Sequence, residues 1–189
     1  MARVLPNFNL SALQFLCIDG DAAMRDTLVK VLRAFSATQI AAVDSAKAAA
    51  DLMKTRSPDI IFCEWELPDG KGTEFVRGLR RDRATVQRMT PVIFVTAHTQ
   101  QWHVTTARDA GVNEYLAKPF SAQLIYSRIC AVLERPRAFI DATGFVGPDR
   151  RRKHDPYLVA KARRSADAAA SVDMSGVISE DEIEAMLGL

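Results

Sequence analysis

The residues of this chain that could do chemistry fall mainly in four short polar stretches, each directly after an apolar run. They are Asp19-Gly20-Asp21, Glu64-Trp65-Glu66, Thr96-Ala97-His98 and Lys118-Pro119. Carboxylates, a hydroxyl and an ammonium drawn from separate stretches are groups that recognise charge. An ammonium and a hydroxyl facing a carboxylate can both stabilise an added phosphate. The sequence sets no nucleophile beside a base and has no phosphate-binding glycine loop or oxyanion constellation, so no enzyme is expected. His98 and His103 flank Trp102, but no cysteine or carboxylate beside them completes a metal set. Trp65 reads as pocket wall.

A scaffold must bring these stretches to one edge. Phe15–Ile18, Ile40–Val43, Ile60–Cys63, Pro91–Val95 and Glu114–Leu116 read as five short strands. Apolar residues at helical spacing predict helices over 22–35, 46–56, 73–82, 101–110 and 121–134, the last stopping before Pro136. Asp21 and Ser45 are suited to cap the helices they precede, and Gly111 ends the fourth at C′. Strands that are continuously apolar rather than alternating imply a parallel sheet covered on both faces. Ligands of such α/β sheets bind outside the carboxyl ends of the strands. All four polar stretches lie there.

On those segments, residues 14–134 resemble the receiver domain of two-component response regulators, close in pattern to the single-domain chemotaxis type. FLCIDGDAAMRDTL, PDIIFCEWELPDGKGTEF, PVIFVTAH and AGVNEYLAKPF follow one another as in that family. The resemblance implies a flavodoxin-like, doubly wound α/β fold with a five-stranded parallel sheet of order 2-1-3-4-5. In the family, acids after strand 1 hold Mg²⁺ and an aspartate after strand 3 accepts a phosphoryl group. A Thr or Ser after strand 4 and a Lys before Pro after strand 5 read the phosphate, and an aromatic on strand 5 changes rotamer. Thr96, Lys118 and Tyr115 occupy these last three positions.

Two positions depart from the pattern. The acceptor position is Glu64, whose extra methylene carries the carboxylate about 1.5 Å outward. A misplacement of about 1 Å can cost two decades in rate. The second acid of the metal pair is Gly20, leaving Asp19 and the Glu66 carbonyl as the only ligands for any Mg²⁺, while Asp21 is assigned to the helix cap. The expected result is a pocket that does not phosphorylate itself. Glu64 extended toward Lys118 either imitates the charged state or locks an inert one. A phosphoryl-accepting response regulator is the alternative.

The chain divides into an N-terminal arm (1–13), the receiver-like unit (14–134), a basic segment (135–164) and an acidic tail (165–189). The net charge of +2 hides a segregation: +2 in residues 1–134, +6 in 135–164 and −6 in 165–189, where there is no Lys or Arg. The basic segment, with its GPDRRR string, resembles the arginine-rich extensions of alphaproteobacterial single-domain receivers, some of which bind cyclic di-GMP. That resemblance makes Arg150, Arg151 and Arg152 the candidate ligand residues, joined by Arg137, Lys153 and Tyr157. Arginine forks suit phosphate and guanine edges, and aromatics add stacking surface. Nucleic acid is a less favoured polyanion.

In the tail, Ser179 and Glu182 form a capping box, and Ile183, Met186 and Leu187 make one apolar face of a short amphipathic helix. SEDEIEAML resembles the N-terminal peptide of flagellar motor switch proteins. The resemblance implies docking on the face of helix 4, strand 5 and helix 5, in cis or in trans, in competition with a protein partner such as the motor switch or a kinase complex. Cys17, Cys63 and Cys130 lie in apolar patterns without metal spacing and read as reduced, buried thiols. No membrane-spanning run and no signal peptide is apparent, so a cytoplasmic protein is expected.

Overall fold

The computed structural model describes residues 8–134, 136–142 and 144–149. Five strands, β1 (Gln14–Ile18), β2 (Gln39–Val43), β3 (Ile60–Cys63), β6 (Val92–Thr96) and β7 (Glu114–Ala117), form one parallel sheet in the order β2-β1-β3-β6-β7. Between β3 and β6 lies a two-rung hairpin, β4 (Glu66–Leu67) with β5 (Gly70–Lys71). The helices are α1 (Ala22–Ala34), α2 (Ala46–Met53), α3 (Gly72–Arg81), α4 (Gln101–Ala110) and α5 (Ala122–Glu134). This is the flavodoxin-like receiver architecture, and its strand order is the one expected. No described helix is long and apolar enough to cross a membrane.

Alternate residues of each strand enter two separate cores, as a period of two requires. Leu16, Ile18, Ile61, Cys63, Val92, Phe94 and Tyr115 pack on one face with Ala49 and Met53 of α2, Val76 of α3 and Val104 of α4. Phe15, Cys17, Ile60, Phe62, Ile93, Val95 and Leu116 pack on the other with Leu28 and Leu32 of α1 and Ile125 and Ile129 of α5. The buried cysteines confirm their reading as inert. Burial pushes the Cys17 thiol up to about 12 and the Cys63 thiol higher.

Caps delimit the helices. Asp21 accepts the Ala23 and Met24 amides, Ser45 accepts Ala48, and Gly111 closes α4 in the left-handed region at φ 95°. Helix α2 ends at Met53, not 56. Thr55 folds back on the Leu52 carbonyl, and the chain turns toward Pro58.

The largest addition to the expected fold follows α5. Part of the stretch assigned to a basic linker is a hairpin, β8 (Phe139–Ala142) with β9 (Phe145–Pro148), turning through Gly144 at φ 89°. It sits at the end of the domain where β6 and β7 begin. Asp141 bridges Arg83 (2.9 Å) and Arg88 (2.7 Å) of the segment after α3. Gly147 lies against Gly111 so closely that a Cβ at Gly147 would be 2.9 Å from the Gly111 Cα.

Arg80 completes the seat. It is 1% exposed, and its guanidinium donates to the Gly111, Arg88 and Thr90 carbonyls and to Asn113 Oδ1 at 2.6–3.1 Å. Its charge also lies 5.7 Å from the centre of the Phe139 ring. Burial lowers its pKa to about 10, which leaves it charged at neutral pH.

Candidate functional site

Aligned strand ends create the site. Ile18 is paired with Cys63 and Cys63 with Phe94, so Asp19, Glu64, Thr96 and Lys118 emerge along one edge of the sheet. Lys118 is the hub. Its Nζ donates to Glu64 Oε2 at 2.6 Å and to Asp19 Oδ2 at 2.7 Å. The three side chains are only 15%, 13% and 12% exposed, so the ion triad is largely out of water. Burial pulls the Lys118 ammonium down, but the hydrogen bonds and charges of Asp19 and Glu64 outweigh it and hold its pKa above the ordinary 10.5.

The remaining carboxylate oxygens are also engaged. Glu64 Oε1 accepts the Trp65 amide at 2.6 Å, and Asp19 Oδ1 accepts the Asp21 amide at 2.8 Å. Arg25 donates to the Asp19 carbonyl at 2.6 Å. Asp21 faces away into its helix cap, so it does not join the triad. The cavity bounded by Asp19, Glu64, Lys118, Met24 and Phe120 measures about 10 Å³, the room of one water.

These residues do not suit Mg²⁺. The ion needs near-octahedral oxygen ligation and keeps several waters. Here the one carboxylate left to ligate it, that of Asp19, already accepts from the Lys118 ammonium and the Asp21 amide. A side chain at position 20 meets a further obstacle, since a Cβ there would be 2.9 Å from Pro68 Cδ. The Glu66 side chain points elsewhere and approaches His98 Nε2 at 3.9 Å. Among the described residues no cluster of three or more His, Cys, Asp or Glu has metal-binding geometry.

Thr96 is fully buried, and its Oγ1 accepts the His98 amide at 3.2 Å. Tyr115 is fully buried as well, its hydroxyl donating to the His98 carbonyl. Burial, reinforced by the Glu64 charge, pushes the phenol above its ordinary range. Both residues thus secure the same loop, the one leading into α4. Trp65, expected as pocket wall, is instead a core residue beneath α4 and does not line the Lys118 cavity; it lies edge-on to Phe94, His103 and Trp102. Trp102 is 54% exposed and stacks on His103, whose pKa is lowered by burial and by the neighbouring His98 and Lys71, against the opposing pull of Glu66.

Three working residues escaped the sequence reading. Asp69 accepts the Ala46 and Lys47 amides and so caps α2 from across the site. Arg25 braces the first strand end. Arg80 sits in a charged run that resembles a surface face, yet it follows the buried Val76 by four residues, which puts it on the inward side of α3. Arg137 is half-buried at the foot of the β8–β9 hairpin. Arg150, Arg151, Arg152, Lys153, Tyr157, Ile183, Met186 and Leu187 lie outside the described residues.

Known proteins resemble this chain in sequence and in fold. The profile of the response regulator receiver domain matches residues 15–130. The chemotaxis protein CheY of Pseudomonas aeruginosa is 29% identical over 65% of this chain and 98% of its own length. The phosphate regulon transcriptional regulatory protein PhoB of the same organism is 32% identical over 64% of this chain. The chain spans about half the length of that regulator, 51%. Among solved structures, a putative response regulator from Chloroflexus aurantiacus superposes with a TM-score of 0.61 at 26% identity, covering 65% of this chain and 98% of that one. The chemotaxis response regulator CheY4 of Vibrio cholerae superposes with a TM-score of 0.58 at 20% identity, over 64% and 98% respectively, and supports the fold.

Proposed function

The chain belongs to the response regulator receiver domain family of two-component signalling proteins, and from that premise we propose that it is a non-catalytic, phosphorylation-independent adaptor acting by protein contact. The observation that carries this reading is the Lys118 triad. The lysine that would meet a phosphoryl group is neutralised by Glu64 and Asp19 at 2.6 and 2.7 Å. Glu64, in turn, spends its second oxygen on the Trp65 amide. A carboxylate held by a hydrogen bond at each oxygen, with about 10 Å³ of free space beside it, has no room for in-line attack.

Incubation with a small acyl phosphate and Mg²⁺, followed by intact-mass measurement, tests this. No phosphoryl gain is expected. A gain located on Glu64 would establish the phosphoryl-accepting alternative.

The partner surface is the face of α4, β7 and α5, where the exposed Trp102 marks the start of α4. A motor-switch or kinase-complex protein is the expected partner class. The terminal segment carrying Ile183, Met186 and Leu187 is a docking peptide, in cis or in trans.

We further propose cyclic di-GMP as the ligand of Arg137, Arg150, Arg151, Arg152, Lys153 and Tyr157. The paired feet of the β8–β9 hairpin support it: the Asp149 amide, next in sequence to the arginine run, bonds to the carbonyl of Ala138, next in sequence to Arg137, at 2.7 Å. Calorimetric titration with cyclic di-GMP should give saturable heat that disappears when Arg150, Arg151 and Arg152 are changed to alanine. Silence at high micromolar ligand would remove the proposal.

A further inference from the structure

Two of the three exposed large hydrophobic residues among those described, Val86 (79%) and Met89 (52%), share one short 3-10 turn, Val86–Met89. The turn lies beside the β8–β9 hairpin. Between them is a cavity of about 230 Å³, walled by Met89, Pro91, Val132, Phe139 and Pro148, with Arg137 at its margin. It adjoins Asn113 and Glu114 at the start of β7, the opposite end of the strands from the Lys118 triad. Apolar walls with a few polar groups at the margin are the usual make-up of a recognition pocket.

We propose that this cavity is the seat of the chain's own acidic terminal segment, residues 179–189, with an apolar side chain of that segment in the cavity and its carboxylates on the arginine margin.

Three features select this occupant. The first is geometry: Pro148 is both a wall of the cavity and the next-to-last described residue, so the described chain ends at the rim. The 29 residues from 150 to 178 then join the segment to that rim. A coil of 29 residues has a root-mean-square span of about 30 Å, which corresponds to an effective concentration of order millimolar. A weak contact is therefore enough to populate the docked form.

The second is charge. Residues 165–189 carry six acids and no Lys or Arg. Arg137 lines the cavity, and Arg83 and Arg88 share the single carboxylate of Asp141 on the adjoining hairpin, so guanidinium groups gather at this side of the domain. Glu114, inside, is matched by Arg128 at 3.8 Å. The third is shape. Ile183, Met186 and Leu187 recur at i, i+3 and i+4, the spacing by which one helix face enters a groove.

The inference rests on the reading of 179–189 as a docking peptide and gives it an address. It leaves the α4, β7 and α5 face free for a partner, and it is independent of the pocket chemistry.

The test uses the full chain and backbone amide shifts. Leu187→Asp in the tail should move signals in 86–91 and 136–149. Met89→Glu, a surface change that leaves the fold intact and repels the acids, should move the signals of 179–189. It should also speed Glu-specific proteolysis within 180–184 by about tenfold, since cleavage follows the open population. Shifts on α4 and on residues 122–128 of α5 without any in 86–91 and 136–149, or shifts confined to Arg150–Lys153, would overturn the assignment while keeping a docking tail. No shift anywhere in the domain on Leu187→Asp would overturn both.

Discussion

Lys118→Met is expected to lower the stability of the folded domain by about 3 kcal/mol at neutral pH, the low end for breaking a buried ion pair by removing one partner. Two carboxylates, Asp19 and Glu64, would remain together in a largely dry pocket with no cation between them. For a domain of this size the thermal midpoint should fall by roughly 10 °C. Adding Glu64→Gln should recover much of the loss, because one of the stranded charges goes with it.

The pH dependence has a definite sign. The lysine pKa is raised in the folded state, so the folded protein holds this proton more tightly than the unfolded chain does. That stabilisation is complete below about pH 10 and is lost as pH rises through the folded-state value. The wild type should therefore lose stability more steeply than Lys118→Met above pH 10. Denaturant titrations of both proteins across pH 7–11 check the point. A neutral-pH loss under about 1 kcal/mol, within ordinary surface-mutation effects, would show the triad to be solvated.

Arg80→Lys should be nearly as damaging as Arg80→Met, each costing about 3 kcal/mol. Four acceptors on two chain segments, the Arg88 and Thr90 carbonyls on one and the Gly111 carbonyl and Asn113 Oδ1 on the other, depend on one planar fork. A lysine has three donors on a single atom and cannot span them. Each acceptor left without a donor in the interior carries a desolvation cost of about 1–3 kcal/mol, softened where water enters. The damage should be local first: hydrogen exchange in 139–148 should rise before exchange in β1 and β3, because the hairpin loses both its Arg80–Phe139 contact and the ordered Arg88 segment. Unchanged hairpin protection in Arg80→Lys would contradict this account.

These two residues also show how far the sequence could be read. Lys118, Asp19, Glu64 and Thr96 were legible because they follow apolar runs in a parallel α/β pattern, and the pattern places strand ends together. Caps at Asp21, Ser45 and Gly111 were legible because capping is local chemistry. That Lys118 holds both carboxylates at once was not, since it depends on the register of three strands brought together from distant positions. Arg80 was hidden by its company in RGLRRDR, and only the helical phase set by Val76 betrays it. The β8–β9 hairpin has no alternating pattern in AFIDATGFVGP. What defines it is tertiary: Asp141 between two arginines and a glycine-to-glycine contact at positions 111 and 147.

The packing of Trp65, edge-on to Trp102 at 5.8 Å, has an optical consequence. These are the only tryptophans the chain possesses, so all of its indole emission arises from one spot, where the Glu64 loop meets the first turn of α4. One chromophore is sealed and the other faces solvent against an imidazole, so the spectrum sums a blue component and a red, quenchable one. Anything that shifts α4 changes the ratio, and events on the hairpin or the β2 edge stay dark unless they reach α4. The protein thus carries an unlabelled spectroscopic gauge of the position of α4.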